Sequence, residues 1–329
     1  MKVVIATPFS PPERGVLAVY TKGLTDAFEK RGDTVTVVPF GDTKHLPPIL
    51  RHIAYFSRML TIAPGATFVL ALDTWSVGLP ALIAAKIRRV PFVVRVGGDF
   101  LWESYIERTN SQVRLSEFYA RPRSYSLKEH FIFFATRWLL RGADVIFFNT
   151  KFQKKIWEDA YGFPNSKSYL LENFYPPVVM HEAIGTVFVS GNRERVYKNN
   201  DTLERAFKRV RAKYPAATLD TSLLSHDQHL ARNRNAYAVV VPSISEVGSN
   251  NVIDGIANGK PFVITDDTGT SERLGGCGIF VDTRDEKKLA EAIESLLDSS
   301  VYERLRENIR AFSFTHSWDE IAAEIVQRL

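Results

Sequence analysis

Residues 237–272, YAVVVPSISEVGSNNVIDGIANGKPFVITDDTGTSE, constrain the fold of this chain more than any other stretch, because strand, loop, helix and strand signals follow one another within them. Tyr237 to Val241 is a short, continuously apolar run ended by Pro242, the pattern of a buried strand in a parallel sheet. Ser249, Asn250 and Asn251 are good helix caps, and Val252, Ile253, Ile256 and Ala257 predict a short helix that Gly259 and Pro261 stop. Phe262, Val263 and Ile264 read as the next strand. The loop after the first strand then opens at the carboxyl edge of a sheet, where ligands of open α/β sheets bind and helix N-termini favour anions. That loop holds Glu246, and Asp254 follows about one turn into the helix, so a ligand across the helix start can meet both carboxylates. Ionised acids accept hydrogen bonds well from sugar hydroxyls. The plainer reading has Asp254 complementing the helix dipole and Glu246 solvated in its loop.

The same string resembles the signature of glycosyltransferase family 4, in which a Pro-Ser strand end, a loop Glu, a second acid in the following helix and a Gly-x-Pro turn recur in that order. Pro242, Ser243, Glu246, Ala257, Gly259, Pro261, Val263 and Thr265 fall on it, and Gly269 and Glu272 continue the match. Val247 and Ser249 stand where the family has glycines, Asn250 and Asn251 where it has apolar residues, and Asp254 where it has a second Glu. The shorter acid changes the reach of that contact, not its sign. The resemblance implies an α/β chain of GT-B fold, two Rossmann-like doubly wound parallel-sheet domains facing a central cleft. It implies that Glu246 meets the transferred sugar, that Asp254 meets the nucleotide ribose, and that Gly248, Ser249, Asn250 and Asn251 line the donor.

At 329 residues the chain is long enough for two domains, and 45% hydrophobic with 24% charged residues is the composition of a soluble globular protein. No apolar run approaches the roughly 20 residues that span a bilayer, and the N-terminal VVIA is too short for a signal-peptide core before Pro8. The expected location is therefore the cytoplasm. Cys277 is the only cysteine, which excludes an intrachain disulfide and a thiolate metal cluster. Residues 1–173 carry 23 Lys and Arg against 15 Asp and Glu, and the remainder 19 against 22. A basic first half suits an anionic membrane surface, a phosphorylated acceptor or nucleic acid, or is an ordinary solvated surface. No aromatic-basic nucleic-acid motif appears, so the partner expectations exclude nucleic acid and retain peripheral contact with the inner face of a membrane.

In chain order, Lys2 to Ala6 predicts a buried first strand, Val16 to Lys30 an amphipathic helix, and residues 33–38 the next strand, the opening of a doubly wound sheet. Gly15 is the single glycine in a loop where the family has a pair. Strands at 67–72, 91–96 and 144–149 continue the alternation, and the second of these ends in Gly97, Gly98 and Asp99. The family commonly places a His or Asp at this strand end facing the sugar, which makes Asp99 the catalytic candidate of the first domain; a buried capping role is its rival. Residues 103–141 are rich in Arg and aromatics and end in a helix through HFIFFATRWLL, whose aromatics are expected mostly in the core, an interfacial helix being the rival reading.

LENFYPPV resembles the family's hinge, and Pro176 with Pro177 breaks regular structure. This divides the chain into residues 1–173 for the acceptor, 174–312 for the nucleotide-sugar donor, and 313–329, whose capping box at Ser317 and Glu320 starts a helix that crosses back to the first domain in the family. After a strand at 186–190, GNRERVYKNN resembles the family's diphosphate loop, with Lys198 at the Lys position and either Arg193 or Arg195 at the Arg position. Cations at a strand-to-helix loop suit a pyrophosphate. Residues 217–237 leave room for only one strand and one helix, a contraction that leaves the donor base open.

The implied function is metal-independent, retaining transfer from a UDP- or GDP-sugar to a glycan, a lipid-linked acceptor or another hydroxyl, with Asp99, Lys198 and Glu246 as catalytic residues, no cofactor and no metal ligand set. The alternatives are a nucleotide-sugar-binding protein without turnover, which the departures at Val247, Ser249 and Asp254 favour, and a sugar-nucleotide epimerase of the same fold.

Overall fold

A computed structural model describes residues 1–10, 15–191, 194–222, 224 and 226–329. The first sheet and its helices run β1 (Lys2–Thr7), α1 (Val16–Lys30), β2 (Thr34–Pro39), α2 (Pro48–Ile62), β3 (Phe68–Ala71), α3 (Gly78–Arg88), β4 (Phe92–Val96), α4 (Phe100–Thr109), α5 (Leu115–Phe118), α6 (Leu127–Gly142), β5 (Val145–Phe148), α7 (Lys151–Tyr161) and β6 (Ser168–Leu170). The chain continues as β7 (Val187–Val189), α8 (Asn200–Lys213), β8 (Thr218–Asp220), α9 (His226–Asn235), β9 (Ala238–Val241), α10 (Asn250–Ala257), β10 (Phe262–Thr265), α11 (Ser271–Leu274), β11 (Gly278–Val281), α12 (Glu286–Ser295), α13 (Ser299–Ala311) and α14 (Trp318–Gln327). Two parallel sheets result, in the orders β2-β1-β3-β4-β5-β6 and β11-β10-β9-β7-β8. Both are doubly wound α/β sheets with interleaved helices.

Short strands produce these sheets, with continuous burial in inner strands such as β3, β5, β9 and β10 and partial exposure in β2, β8 and β11. In β9, Val239 and Val241 enter one core with Val252, Ile253 and Ile264, while Ala238 and Val240 enter another with Leu203, Phe207 and Ile293, because successive strand residues face opposite sides. Helices α6, α7, α10, α12, α13 and α14 start where polar side chains cap them. Ser126 and Glu129 form a capping box before α6, and Ser317 and Glu320 form the expected one before α14.

The chain separates into two compact units whose memberships are not consecutive in sequence: residues 1–101, 124–174 and 316–329 form one, and residues 102–123 and 175–315 the other. Residues 102–123 thus pack in the second unit, although the expected division placed everything up to 173 in the first. Arg114 forms ion pairs with Asp266 at 2.6 Å and Asp282 at 3.1 Å, and the Leu115 amide donates to Ser245 Oγ at 2.9 Å. Asp267 accepts from Ser245 Oγ and, at 3.4 Å, from the Ser116 amide. Asp266 and Asp267, an undistinguished acidic pair in the sequence, are the anchors of this excursion. Hydrogen bonds from Arg284 and from Arg114 hold the Asp282 carboxyl far below the usual carboxylate range.

In the first unit α14 lies along α1, with Ile321, Ala322 and Ile325 wholly buried beside Tyr20 and Leu24. The Trp318 ring stacks on Phe174 at 4.8 Å and meets the Tyr20 ring edge-on at 5.0 Å. The aromatics of α6 depart from expectation, since Phe131, Phe134 and Trp138 are exposed by 60%, 59% and 52%. Its buried side is carried by Ile132, Thr136, Leu139 and Leu140.

Candidate active site

In the second sheet β7 lies between β8 and β9, so the chain turns opposite ways on leaving the central strands, and the loops after β7 and β9 flank the topological switch point. Lys198 lies on the first loop and Glu246 on the second. A backbone bond from the Ile244 amide to the Tyr197 carbonyl, 2.9 Å long, joins the loops. Asn199 secures them further: it takes the left-handed conformation at φ 55°, which Asn tolerates, and its buried amide donates to the Pro242 carbonyl at 3.2 Å and the Thr283 carbonyl at 2.8 Å. With its neighbours so held, Lys198 Nζ meets Glu246 Oε1 at 2.5 Å, and Ser243 Oγ donates to the same oxygen at 2.7 Å. The Lys198 and Glu246 side chains retain 25% and 15% of their exposure, so a ligand can still reach them.

The start of α10 forms the next wall. The Ser249 hydroxyl accepts from the Val252 amide at 3.4 Å, and the Ser249 amide donates to Thr270 Oγ1 at 3.2 Å, which leaves Asn250 and Asn251 in the first turn. A Cβ on Gly191, just beyond β7, would stand 3.0 Å from Asn251 Nδ2, so the helix start faces that loop closely. Gly255 lets α10 press onto β9, where a Cβ would come within 2.6 Å of Val239 Cγ2. Ser190 Oγ is buried beside Gly191 and has no hydrogen-bond partner among the described residues.

Asp254 is engaged from α9. Its Oδ2 lies 3.3 Å from His229 Nε2, while Arg232 donates to His229 Nδ1 at 3.2 Å. A guanidinium only donates, so Nδ1 accepts from Arg232, and Nε2 lies 3.1 Å from the Asn233 side-chain amide as well as beside the carboxylate. Arg232 is itself paired with Asp220 at 3.6 Å, and its burial lowers its pKa from the ordinary arginine value. Asp220, Arg232, His229 and Asp254 therefore form one relay from β8 to α10. Sequence reasoning missed His229 and Arg232; their only signal was i, i+3 spacing on one face of a short polar helix.

The other candidate residues are dispersed. Arg195 is exposed at the head of the single 3₁₀ turn of residues 196–198, and Gly248 is half-buried between Glu246 and Ser249. Arg193 lies outside the described residues. Gly15 and Asp99 belong to the first unit. Gly15 precedes α1 with φ 133°, a conformation that favours glycine. Asp99 is only 2% exposed and accepts a 2.9 Å hydrogen bond from Trp157 Nε1, the environment of a buried anchor. Trp102 and Glu107, from the excursion, support the Lys198 loop: the Trp102 ring lies 5.6 Å from that of Tyr197, and Glu107 Oε1 accepts from the Val196 amide at 2.8 Å. Among the described residues, no group of three or more His, Cys, Asp or Glu side chains is placed to hold a metal ion.

Residues 2–173 match the glycosyl transferase 4-like domain, and residues 230–299 match the glycosyl transferases group 1 domain. The chain belongs to the glycosyl transferase 4-like family. A sucrose-phosphate synthase from Thermosynechococcus elongatus has a similar structure, with TM-score 0.71 and 13% identity over 99% of this chain and 97% of that one. HepE of Anabaena, solved in complex with UDP-glucose, aligns over 100% of both chains with TM-score 0.69 and 12% identity. A UDP-forming α,α-trehalose-phosphate synthase from Burkholderia vietnamiensis aligns over 99% of both with TM-score 0.66 and 11% identity. These are GT-B glycosyltransferases, and the likeness is one of fold. No curated protein matches the sequence.

Proposed function

We propose that this chain is a retaining, metal-independent glycosyltransferase that moves a hexose from a nucleotide-sugar to a hydroxyl of a glycan or lipid-linked acceptor. The observation that carries this reading is the meeting of Lys198 and Glu246 at the switch point of the second sheet, beside the N-terminus of α10. As the bond from sugar to diphosphate breaks, negative charge grows on the departing diphosphate. The Lys198 ammonium, the exposed Arg195 and the free amides of the α10 start supply positive potential there, which serves in place of a divalent cation. In the unliganded chain Glu246 holds that ammonium. A bound diphosphate takes over the cation and frees the carboxylate for sugar hydroxyls. Asp254, oriented by His229, suits the two ribose hydroxyls. The UDP and UDP-glucose named with HepE favour a uridine nucleotide as donor. Retention is carried over from the family resemblance, as is a catalytic place for Asp99, whose buried carboxylate accepts from Trp157 Nε1.

One observation favours a second reading, binding without turnover: the Lys198 charge is already matched by Glu246. Incubation with a panel of nucleotide-sugars in excess EDTA decides between them. The expected result is sugar transfer or slow donor hydrolysis that survives EDTA and falls on the order of 10²- to 10³-fold in Lys198→Ala, the usual effect of losing one transition-state charge donor. Complete loss that metal restores overturns metal independence. Binding with no turnover selects the second reading, and release of an epimeric nucleotide-sugar overturns both.

A further inference from the structure

Leu127, Phe131, Phe134 and Trp138 recur on α6 at spacings of 4, 3 and 4, so they form one continuous stripe down the helix, and all are exposed, Leu127 by 91%. The stripe does not stand alone. Phe131 meets the Trp75 ring edge-on at 5.8 Å, Phe100 stacks on Trp75 at 5.7 Å, and His52 of α2 lies 6.1 Å from it. Beside His52, α2 exposes Ile49, Leu50 and Ile53. Two helices of the first unit thus present a joined apolar surface to solvent, an arrangement that marks an interaction site rather than scattered surface residues.

The charges around this surface select its partner. Helix α2 contains Arg51 and Arg58, the latter paired with Asp42 ahead of the helix, and no acid of its own; α6 contains Lys128, Arg137 and Arg141 and one acid, Glu129, which is buried in its capping box. The chain's basic excess also resides here, since the first unit carries 20 Lys and Arg against 15 Asp and Glu and the second unit carries 22 of each. A second copy docking through the same face would set these cations against one another with no acid on either helix to meet them. Leu, Phe and Trp bordered by Lys and Arg are the composition of an element lying in a bilayer interface, with apolar side chains in the acyl boundary and cations at anionic headgroups. No helix among the described residues is long and apolar enough to cross a membrane, so such an element would lie on the bilayer rather than span it.

We infer that the α2 and α6 face of the first unit docks on an anionic lipid bilayer through Leu127, Phe131, Phe134 and Trp138. The inference is independent of the transferase reading, because its test contains no nucleotide-sugar. The full chain is sedimented with vesicles of phosphatidylcholine alone and of phosphatidylcholine mixed with phosphatidylglycerol, at low and high salt. Binding is expected to the mixed vesicles, weaker at high salt, and on the order of tenfold weaker still in Phe131→Ser/Phe134→Ser, whose exposed positions leave folding intact. Quenching by brominated lipid reads the depth directly: Trp138→Phe is expected to keep binding and lose most of the quench. Failure to bind the anionic vesicles, or a quench unchanged by Trp138→Phe, overturns the proposal. A dimer in solution that the double serine variant dissolves also overturns it, in favour of a second copy.

Discussion

Lys198 and Glu246 neutralise each other in the unliganded chain, and this separates the two acids of the site. On the proposed function Glu246 would compete with a diphosphate for the ammonium, whereas Asp254 lies beside His229 and, among the described residues, pairs with no cation of the Lys198 loop. Glu246→Gln is therefore expected to lower turnover while leaving nucleoside diphosphate affinity unchanged or tighter. Asp254→Asn is expected to weaken that affinity about 10- to 100-fold, the worth of a hydrogen bond to a charged group. Calorimetric titration checks both, and equal losses would mean that the acids do not divide the ligand. A second residue-scale prediction concerns Lys260, which is wholly buried and donates to the His181 carbonyl at 2.8 Å. Burial, with Arg306 nearby, lowers its pKa to about 8. Below pH 8 the amine is protonated in both folded and unfolded chain; from there to the unfolded value only the unfolded chain holds the extra proton, so stability rises with pH. Between pH 8 and 10 this group should add roughly 2 to 3 kcal/mol. Denaturant titrations across that interval should show the increment in the wild type and not in Lys260→Met.

At the scale of elements, the contact between α1 and α14 sets a sign that helix propensity alone gets wrong. Gly23 lies mid-helix in α1, where Ala would ordinarily gain about 1 kcal/mol. Its added Cβ would overlap the Trp318 indole, and forcing atoms into such a contact typically costs about 1 to 3 kcal/mol. Gly23→Ala is thus expected to destabilise the wild type and to stabilise a Trp318→Ala chain. A double-mutant cycle in urea measures the coupling, and a stabilised single variant would show that α14 leaves α1 more room. α6 teaches the same lesson from the opposite side. HFIFFATRWLL is apolar on nearly every face in sequence, so which face is covered depends on what neighbouring elements supply; α3 covers one side, and Phe131, Phe134 and Trp138 stay outside.

For the whole molecule, the two units are interleaved in sequence, so a lesion at one chain position acts on a distant one. Deleting residues 316–329 removes Ile321, Ala322 and Ile325 from a core shared with Leu24, Phe28 and Leu70. Hydrogen exchange in the truncated chain is expected to lose protection in β1 and α1 while β9 and β10 keep theirs. Uniform loss across both sheets would show that the units do not unfold separately.

Sequence alone determined the alternation of strands and helices, the family, and the places of Lys198 and Glu246 in the loops after β7 and β9 and of Asp254 in α10. Strand burial, caps and the Pro242 to Pro261 pattern are local, and local signals survive without knowledge of the fold. The tertiary structure decided which groups meet. His229 reaches Asp254 only because α9 and α10 lie side by side, and Arg114 finds Asp266 across 152 positions of chain. It also decided that residues 102–123 pack with the second sheet and that the aromatic stripe of α6 faces solvent. Contacts between residues far apart in sequence depend on how whole elements are arranged, and no local pattern of side chains encodes that arrangement.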